Sequence, residues 1–344
     1  MKSFASRIVD WQQRHGRHAL PWQSSRDPYR IWLSEIMLQQ TQVATVIPYF
    51  ERFVARFPGL PVLAAAHEDE VLALWSGLGY YSRARNLHAA AQAVISQHGG
   101  AFPADADAIA TLPGIGRSTA AAIAALAFGQ RGAILDGNVR RVLARHGGVE
   151  GWPGDRRVEA ALWRLAESRL PDLGIEAYTQ GMMDLGALVC TRGKPRCGAC
   201  PVRGDCVAHI QDRTAELPAP RPKKALPERA VQMLLLLDRG ELMLEKRPPR
   251  GIWGGLWSLP ELPAGGDPAA LCLERFGLAT QSQQPLPPLS HTFTHFRLHI
   301  QPVRMQLASR PAAAADLLWL APAAALDAAL PAPVRKLLAE LEAP

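Results

Sequence analysis

Cysteine is scarce in this 344-residue sequence: there are five, and four of them crowd into one short stretch as Cys190, Cys197, Cys200 and Cys206. Long apolar runs are missing as well, and none reaches the length of a membrane span. The opening residues, MKSFASRIVDWQQRH, lack the apolar core of a secretory signal. A cytoplasmic chain with no membrane partner is therefore expected, and disulfides are not expected in that compartment. Charge is sparse but ordinary, at 20% charged and 48% hydrophobic residues, which excludes a disordered or fibrous class. No excess of either sign exists beyond residue 225, where Lys+Arg and Asp+Glu both number 11, whereas residues 1–225 hold 27 against 20. The whole net charge of +7 thus lies in the first part, which suggests that this part meets a polyanion.

The length predicts two domains. Apolar residues recur at helical spacing in Phe4–Trp11, Tyr29–Ile47, Glu68–Trp75, Tyr81–Ser96, Thr119–Phe128, Val158–Leu170 and Ile175–Val189, with Gly/Pro punctuation between them. Residues 1–211 therefore read as an all-α domain. Residues 212–228, DRTAELPAPRPKKALPE, break the pattern with proline and charge and read as a linker. The period then becomes two. Val231–Leu237 and Glu241–Arg247 form a hairpin, Phe296–Gln301 and Leu317–Leu320 are further strands, and helices are expected at Pro268–Phe276 and Pro333–Leu341. Residues 229–344 read as a smaller α+β domain.

Leu112-Pro113-Gly114-Ile115-Gly116 is a tight turn feeding an alanine-rich helix, a natural seat for a phosphate on the N–H groups at the helix start. Asp136 follows at the mouth of the next helix, where an acid could act on the sugar attached to that phosphate; a plain N-cap is the other reading. The four cysteines, with gaps of six, two and five residues, suit a cubane iron–sulfur cluster better than a zinc site, whose ligand pairs usually stand a dozen or more residues apart. Arg192, Lys194, Arg196 and Arg203 in that loop read as a phosphate clamp or as a solvated surface. Cys272 is expected in the core of the second domain. Glu35, among apolar neighbours, would have its pKa raised if buried, which suits it to donate a proton; most helical glutamates simply face water. Gln39, Gln40, Thr41 and Gln42 either read base edges or cover a helix end. Leu78-Gly79-Tyr80-Tyr81, followed by Arg83 and Arg85, reads as a wedge for prying bases apart or as core aromatics beside surface arginines.

With these stretches in view, the chain resembles the MutY-type adenine DNA glycosylases, iron–sulfur members of the helix–hairpin–helix glycosylases. The resemblance runs nearly end to end, through WLSEIMLQQTQV, GLGYYSRARNLH, LPGIGRSTA, ILDGNVRRVLAR, MMDLGALVC, the cysteine loop, RPPRGIWGGLWSLPE and HTFTHF. It implies that Glu35 and Asp136 are catalytic, with Asn138 orienting a carboxylate or the water. It implies a 4Fe-4S cluster on the four cysteines and an alkali ion at the hairpin turn. Trp22 and Gln180 would lie near an extruded adenine. Gln40 and Leu78 would enter the base stack beside Tyr80, and Thr41, Leu112, Gly114, Gly116 and Ser118 complete the expected DNA-binding set. The second domain resembles the MutT (Nudix-like) domain, with Phe293, Thr294 and His295 placed to recognise 8-oxoguanine. The implied partner is double-stranded DNA carrying adenine opposite 8-oxoguanine or guanine, in the cytoplasm at the nucleoid.

Three departures qualify the resemblance. Thr294 stands where the family usually has serine, Arg140 stands where some relatives carry an adduct-forming lysine, and no Nudix box follows Gly255, so the second domain should not hydrolyse nucleotides. The nearest rival is an endonuclease III-like lyase, which needs a lysine nucleophile in the helix after the hairpin; Ser118 occupies that place and cannot form a Schiff base. A non-catalytic iron–sulfur DNA-binding protein is a second rival, opposed by the joint presence of Glu35 and Asp136. Monofunctional hydrolysis of the adenine N-glycosidic bond is the expectation.

Overall fold

Phe4, Ile8 and Trp11 make one apolar stripe of the first helix, whose start is capped by Ser3 accepting from the Ser6 N–H. In the computed structural model, residues 2–222, 225–308 and 316–342 are described. Helices follow in chain order as α1 (Phe4–His15), α2 (Pro28–Leu38), α3 (Val43–Arg56), α4 (Leu60–Ala65), α5 (Glu68–Trp75), α6 (Ser82–Gln97), α7 (Ala106–Ala110), α8 (Arg117–Phe128), α9 (Gly137–Gly147), α10 (Arg156–Ser168), α11 (Ile175–Leu188) and α12 (Val207–Ile210). By their contacts, residues 1–65 and 86–223 form one unit, and residues 66–85 and 224–344 form the other. The first therefore lacks α5 and the first turn of α6.

The apolar stripe of α1 packs on α11 around a core that includes Ile8, Val142, Leu143, Leu162 and Met182. Gly181 permits that approach, since a Cβ there would stand 2.9 Å from Ile8 and Gln12 side-chain carbons. The continuous helical spacing of Tyr29–Ile47 does not give one helix. The chain leaves α2 at Leu38, Gln40 takes φ +57°, and α3 starts at Val43 and runs on to Arg56. Gln39, at ψ 113°, already leaves the helical conformation, and the left-handed Gln40 after it completes a break that periodicity alone would not show. Residues after 211 stay tied to this unit: Arg213 pairs with Glu150 at 2.7 Å, and the Arg145 guanidinium donates to the buried Leu217 carbonyl. Among the described residues no helix is long and apolar enough to cross a membrane.

The second unit is built on β1 (Glu228–Asp238), β2 (Glu241–Lys246), β3 (Trp257–Ser258), β4 (Glu261–Pro263), β5 (Thr280–Pro285), β6 (Leu289–Thr292), β7 (Arg297–Leu307) and β8 (Leu317–Leu320), with α13 (Pro268–Phe276), α14 (Pro322–Ala325) and α15 (Ala332–Glu342). The sheet runs β3-β2-β1-β7-β5, and β1 pairs parallel with β7. Met233, Leu235 and Leu237 join α15 on one face, while Leu234 and Leu236 join Cys272 of α13 on the other. Burial on both faces explains why Met233–Leu237 of β1 is an unbroken apolar run. Strands β3 to β6 are short or polar, as in the sequence TQSQQP of β5, and carry no alternation to read.

Candidate active site

Asp136 is the N-cap of α9, its carboxylate accepting from the Val139 N–H at 2.7 Å. The capping reading is correct as geometry, and it also fixes the acid's position. Two bonds pin Leu135, immediately before it, and a third steadies the arginine that makes one of them. The Ser118 hydroxyl accepts from the Leu135 N–H at 2.8 Å, and Arg140 donates to the Leu135 carbonyl at 3.1 Å and the Pro153 carbonyl at 3.1 Å while pairing with Glu159. Ser118 and Arg140 thus hold the loop that carries Asp136.

Glu35, on the inner face of α2, has its pKa pushed up to about 7, first by burial and then by the negative charge of Asp136. Burial raises Asp136 too, but the Val139 and Asn138 N–H groups and the Arg141 and Arg140 charges oppose it. The two acids share one site with unequal surroundings: Glu35 is suited to hold a proton and Asp136 to hold a charge.

Asn138 accepts from Arg141 at 2.8 Å, and the same guanidinium donates to the Gly186 and Cys190 carbonyls at 2.7 Å. Gly186 is required here, since a Cβ would meet the Asn138 Cβ at 2.5 Å. Trp22 is buried edge-on to Phe50, with ring centroids 5.3 Å apart. Gln180 donates to Asp184 at 2.9 Å. Asp184 is fully buried and also accepts from the Arg17 backbone at 2.8 Å and the Arg17 guanidinium at 2.7 Å. Neither Asp184, Arg17 nor Arg141 stood out in the sequence.

In the hairpin turn Leu112 and Ile115 are buried while Gly114 and Gly116 are exposed, so backbone rather than side chain faces outward. Gly114 has φ +76°, and a Cβ there would lie 2.6 Å from the Asn86 Cβ. Gln40 is exposed and Thr41 partly buried, at the break between α2 and α3. In the second unit, the turn between α5 and α6 has positive φ at Gly77, Gly79 and Tyr80. It buries Leu78 and leaves Tyr80 45% exposed.

The four cysteines form no disulfide and line a single pocket, together with Val142 and Arg145. The buried Arg145 places Nη1 3.4 Å from the Cys190 sulfur and donates to the Thr191 and Arg192 carbonyls. Among the described residues no three cysteine, histidine or carboxylate side chains close on a single ion. The thiols ring a volume instead, beside a buried cation suited to a group of negative charge. Asp205 ties the loop to α1 and α9 through Arg7, at 2.6 and 2.8 Å, and His146 at 3.2 Å. Arg192, Lys194, Arg196 and Arg203 are exposed on it.

In the second unit Phe293 stacks on Phe296 with centroids 4.4 Å apart, His291 meets it edge-on at 4.6 Å, and Trp253 lies tilted against it at 5.3 Å. Thr294 and His295 are exposed at the tip and share a hydrogen bond of 3.5 Å. Trp253 and His291, which hold Phe293 in place, were not signalled by the sequence.

Residues 33–168 match the family model of the HhH-GPD superfamily of base excision DNA repair proteins. Residues 190–206 match the iron–sulfur binding domain of endonuclease III, and residues 232–340 the NUDIX domain. An adenine DNA glycosylase of Buchnera aphidicola subsp. Acyrthosiphon pisum is 38% identical over 304 residues, covering 88% of this chain and 87% of that one. The adenine DNA glycosylase of Mus musculus is 33% identical over 373 residues, covering 91% and 72%. Among solved structures, a thermostable thymine-DNA glycosylase aligns with TM-score 0.55 at 31% identity, covering 60% of this chain and 95% of that one. Endonuclease III in a non-covalent DNA complex aligns with TM-score 0.51 at 22% identity over 60% and 94%, a likeness of fold.

Proposed function

The chain belongs to the adenine DNA glycosylases, and from that premise we propose that the adenine it releases is one mispaired with 8-oxoguanine or guanine, by hydrolysis without strand cleavage. Its DNA-repair activity and its iron–sulfur binding loop follow from the family. The observation that carries the mechanism is the unequal pair: Glu35, pushed up to about 7 by burial, beside an Asp136 whose own rise by burial is opposed by N–H groups and arginines.

An N-glycosidic bond is a sugar acetal with a base as leaving group, so the two-carboxylate logic of glycoside hydrolysis applies. Glu35 donates its proton to N7 of adenine and the C1′–N9 electron pair leaves with the base. Ionised Asp136 stabilises the oxocarbenium-like sugar. Water adds to C1′ and returns a proton to Glu35, with Asn138 orienting water or carboxylate. Adenine first leaves the stack, at a cost of a few kcal/mol that mispairing reduces. Trp22 and Gln180 border it, and Gln40, Leu78 and Tyr80 occupy the gap. Thr41 stays close to the strand, while the exposed backbone of Leu112–Gly116 takes a phosphate, with an alkali ion. Phe293, Thr294 and His295 read the opposite 8-oxoguanine. The four cysteines would hold a 4Fe-4S cluster, which fixes the basic loop against the phosphates. A nucleoid-associated, cytoplasmic location suits this substrate.

Ser118 supports hydrolysis alone, because its hydroxyl is engaged with the Leu135 N–H and no amine stands there. The test is a single-turnover reaction on a duplex with adenine opposite 8-oxoguanine, sampled with and without hot alkali. Strand breaks only after alkali, abolished in Asp136→Asn with DNA binding retained, are expected. Breaks without alkali would overturn the monofunctional assignment, and activity in Asp136→Asn would remove that residue from the chemistry.

A further inference from the structure

Residues 76–81 fall inside the sequence match to the glycosylase superfamily, yet their contacts place them in the second unit. The attachment is a built network. The Tyr81 hydroxyl donates to the Leu330 carbonyl at 3.0 Å and accepts from the Gly77 N–H at 3.3 Å. The Ser76 hydroxyl donates to the same carbonyl at 3.4 Å and accepts from Arg335 at 2.9 Å. Arg335, on α15, is itself fixed by the Leu326 carbonyl at 2.6 Å and the Ala328 carbonyl at 3.2 Å. Two further ties flank the turn: Lys246 pairs with Asp69 of α5, and Arg85 of α6 donates to the Gly254 carbonyl. From behind, Trp75 donates to the Gly79 carbonyl at 3.2 Å and Arg83 to the Leu78 and Gly79 carbonyls.

A turn with positive φ at Gly77, Gly79 and Tyr80 is expensive to order by itself. Trp75 and Arg83 hold its carbonyls, while α15 and the loop before it, in the unit that carries Phe293–His295, anchor both its ends through Ser76 and Tyr81. We infer that Tyr81, Ser76 and Arg335 are positioning residues for the wedge: they lock the Gly77–Tyr81 turn to the lesion-reading unit, so that opening the stack and reading the opposite base are carried by one unit. The inference rests on the reading that this turn, with its exposed Tyr80, enters the DNA stack. A network that merely packed α5 would have no reason to converge on the turn itself.

The test uses the full chain with Tyr81→Phe and Arg335→Met, and Ser76→Ala as the smallest change should Arg335→Met fail to fold. Duplexes carry 2-aminopurine beside the target adenine, so that fluorescence reports unstacking without chemistry. Loss of a buried bond in a network should slow adenine release on the 8-oxoguanine mispair about tenfold. The fluorescence rise on binding should shrink in parallel. Release should recover towards wild type on a duplex whose opposite base is missing, where the stack is already open. Wild-type rates and fluorescence in all variants would overturn the inference. So would an equal loss on both duplexes with unchanged fluorescence. Failure of the wild-type chain to release adenine would sink the functional reading alone, since the fluorescence comparison still decides whether these residues govern unstacking.

Discussion

Two carboxylates of similar intrinsic acidity are shifted unequally by their neighbours. Burial raises both; at Glu35 the negative charge of Asp136 adds to the rise, whereas at Asp136 N–H donors and arginines oppose it. On the proposed mechanism Glu35 acts in its protonated form, so the single-turnover rate should fall as pH rises through about 7. Glu35→Gln should lower the rate by roughly a hundredfold or more and flatten that limb. A limb that persists in the variant would assign the titration to another group. The cysteine loop was legible in the sequence by its spacing and matches an iron–sulfur binding domain, whereas Glu35 and Asp136 drew attention through the stretches that carry the resemblance and remain part of the proposal. Asp184 was not legible, because one aspartate in a helix reads as surface until Arg17, far away in sequence, is seen to bury it.

At the scale of elements, the hairpin turn meets its surroundings through backbone, with the side chains of Leu112 and Ile115 turned inward. Gly114→Ala would force a Cβ onto Asn86 in a left-handed conformation, displacing the turn. Duplex binding measured by anisotropy should weaken about tenfold through lost phosphate contacts, at unchanged preference for the opposite base. Unaltered binding would take the turn out of the DNA contact set. Helices with a strong apolar period were read correctly, and so were the hairpin β1–β2 and α13. The stretch Tyr29–Ile47 was not, since the break rests on the backbone of Gln39 and Gln40, residues whose side chains give no warning of it.

For the whole molecule, the boundary drawn from composition falls near residue 212, while contacts assign residues 66–85 to the later unit. Packing between segments so distant leaves no trace in local sequence pattern. Removing residues 226–344 should therefore do more than remove the proposed reader of the opposite base. Phe293→Ala should narrow the ratio of release rates for 8-oxoguanine over guanine while sparing the guanine mispair. The truncated chain should lose rate on both, because α5 and the turn behind Tyr80 lose their partners. Equal behaviour of the two would mean that the second unit contributes recognition only. The same arrangement has a consequence in time. Ser76 and Leu330 are 254 residues apart, and synthesis at about 5–20 residues per second separates them by roughly 13 to 50 s on the ribosome. The Gly77–Tyr81 turn is thus made early and secured last, and a nascent chain whose helical residues are already complete still lacks the partners of Ser76 and Tyr81 until Leu330 and Arg335 emerge.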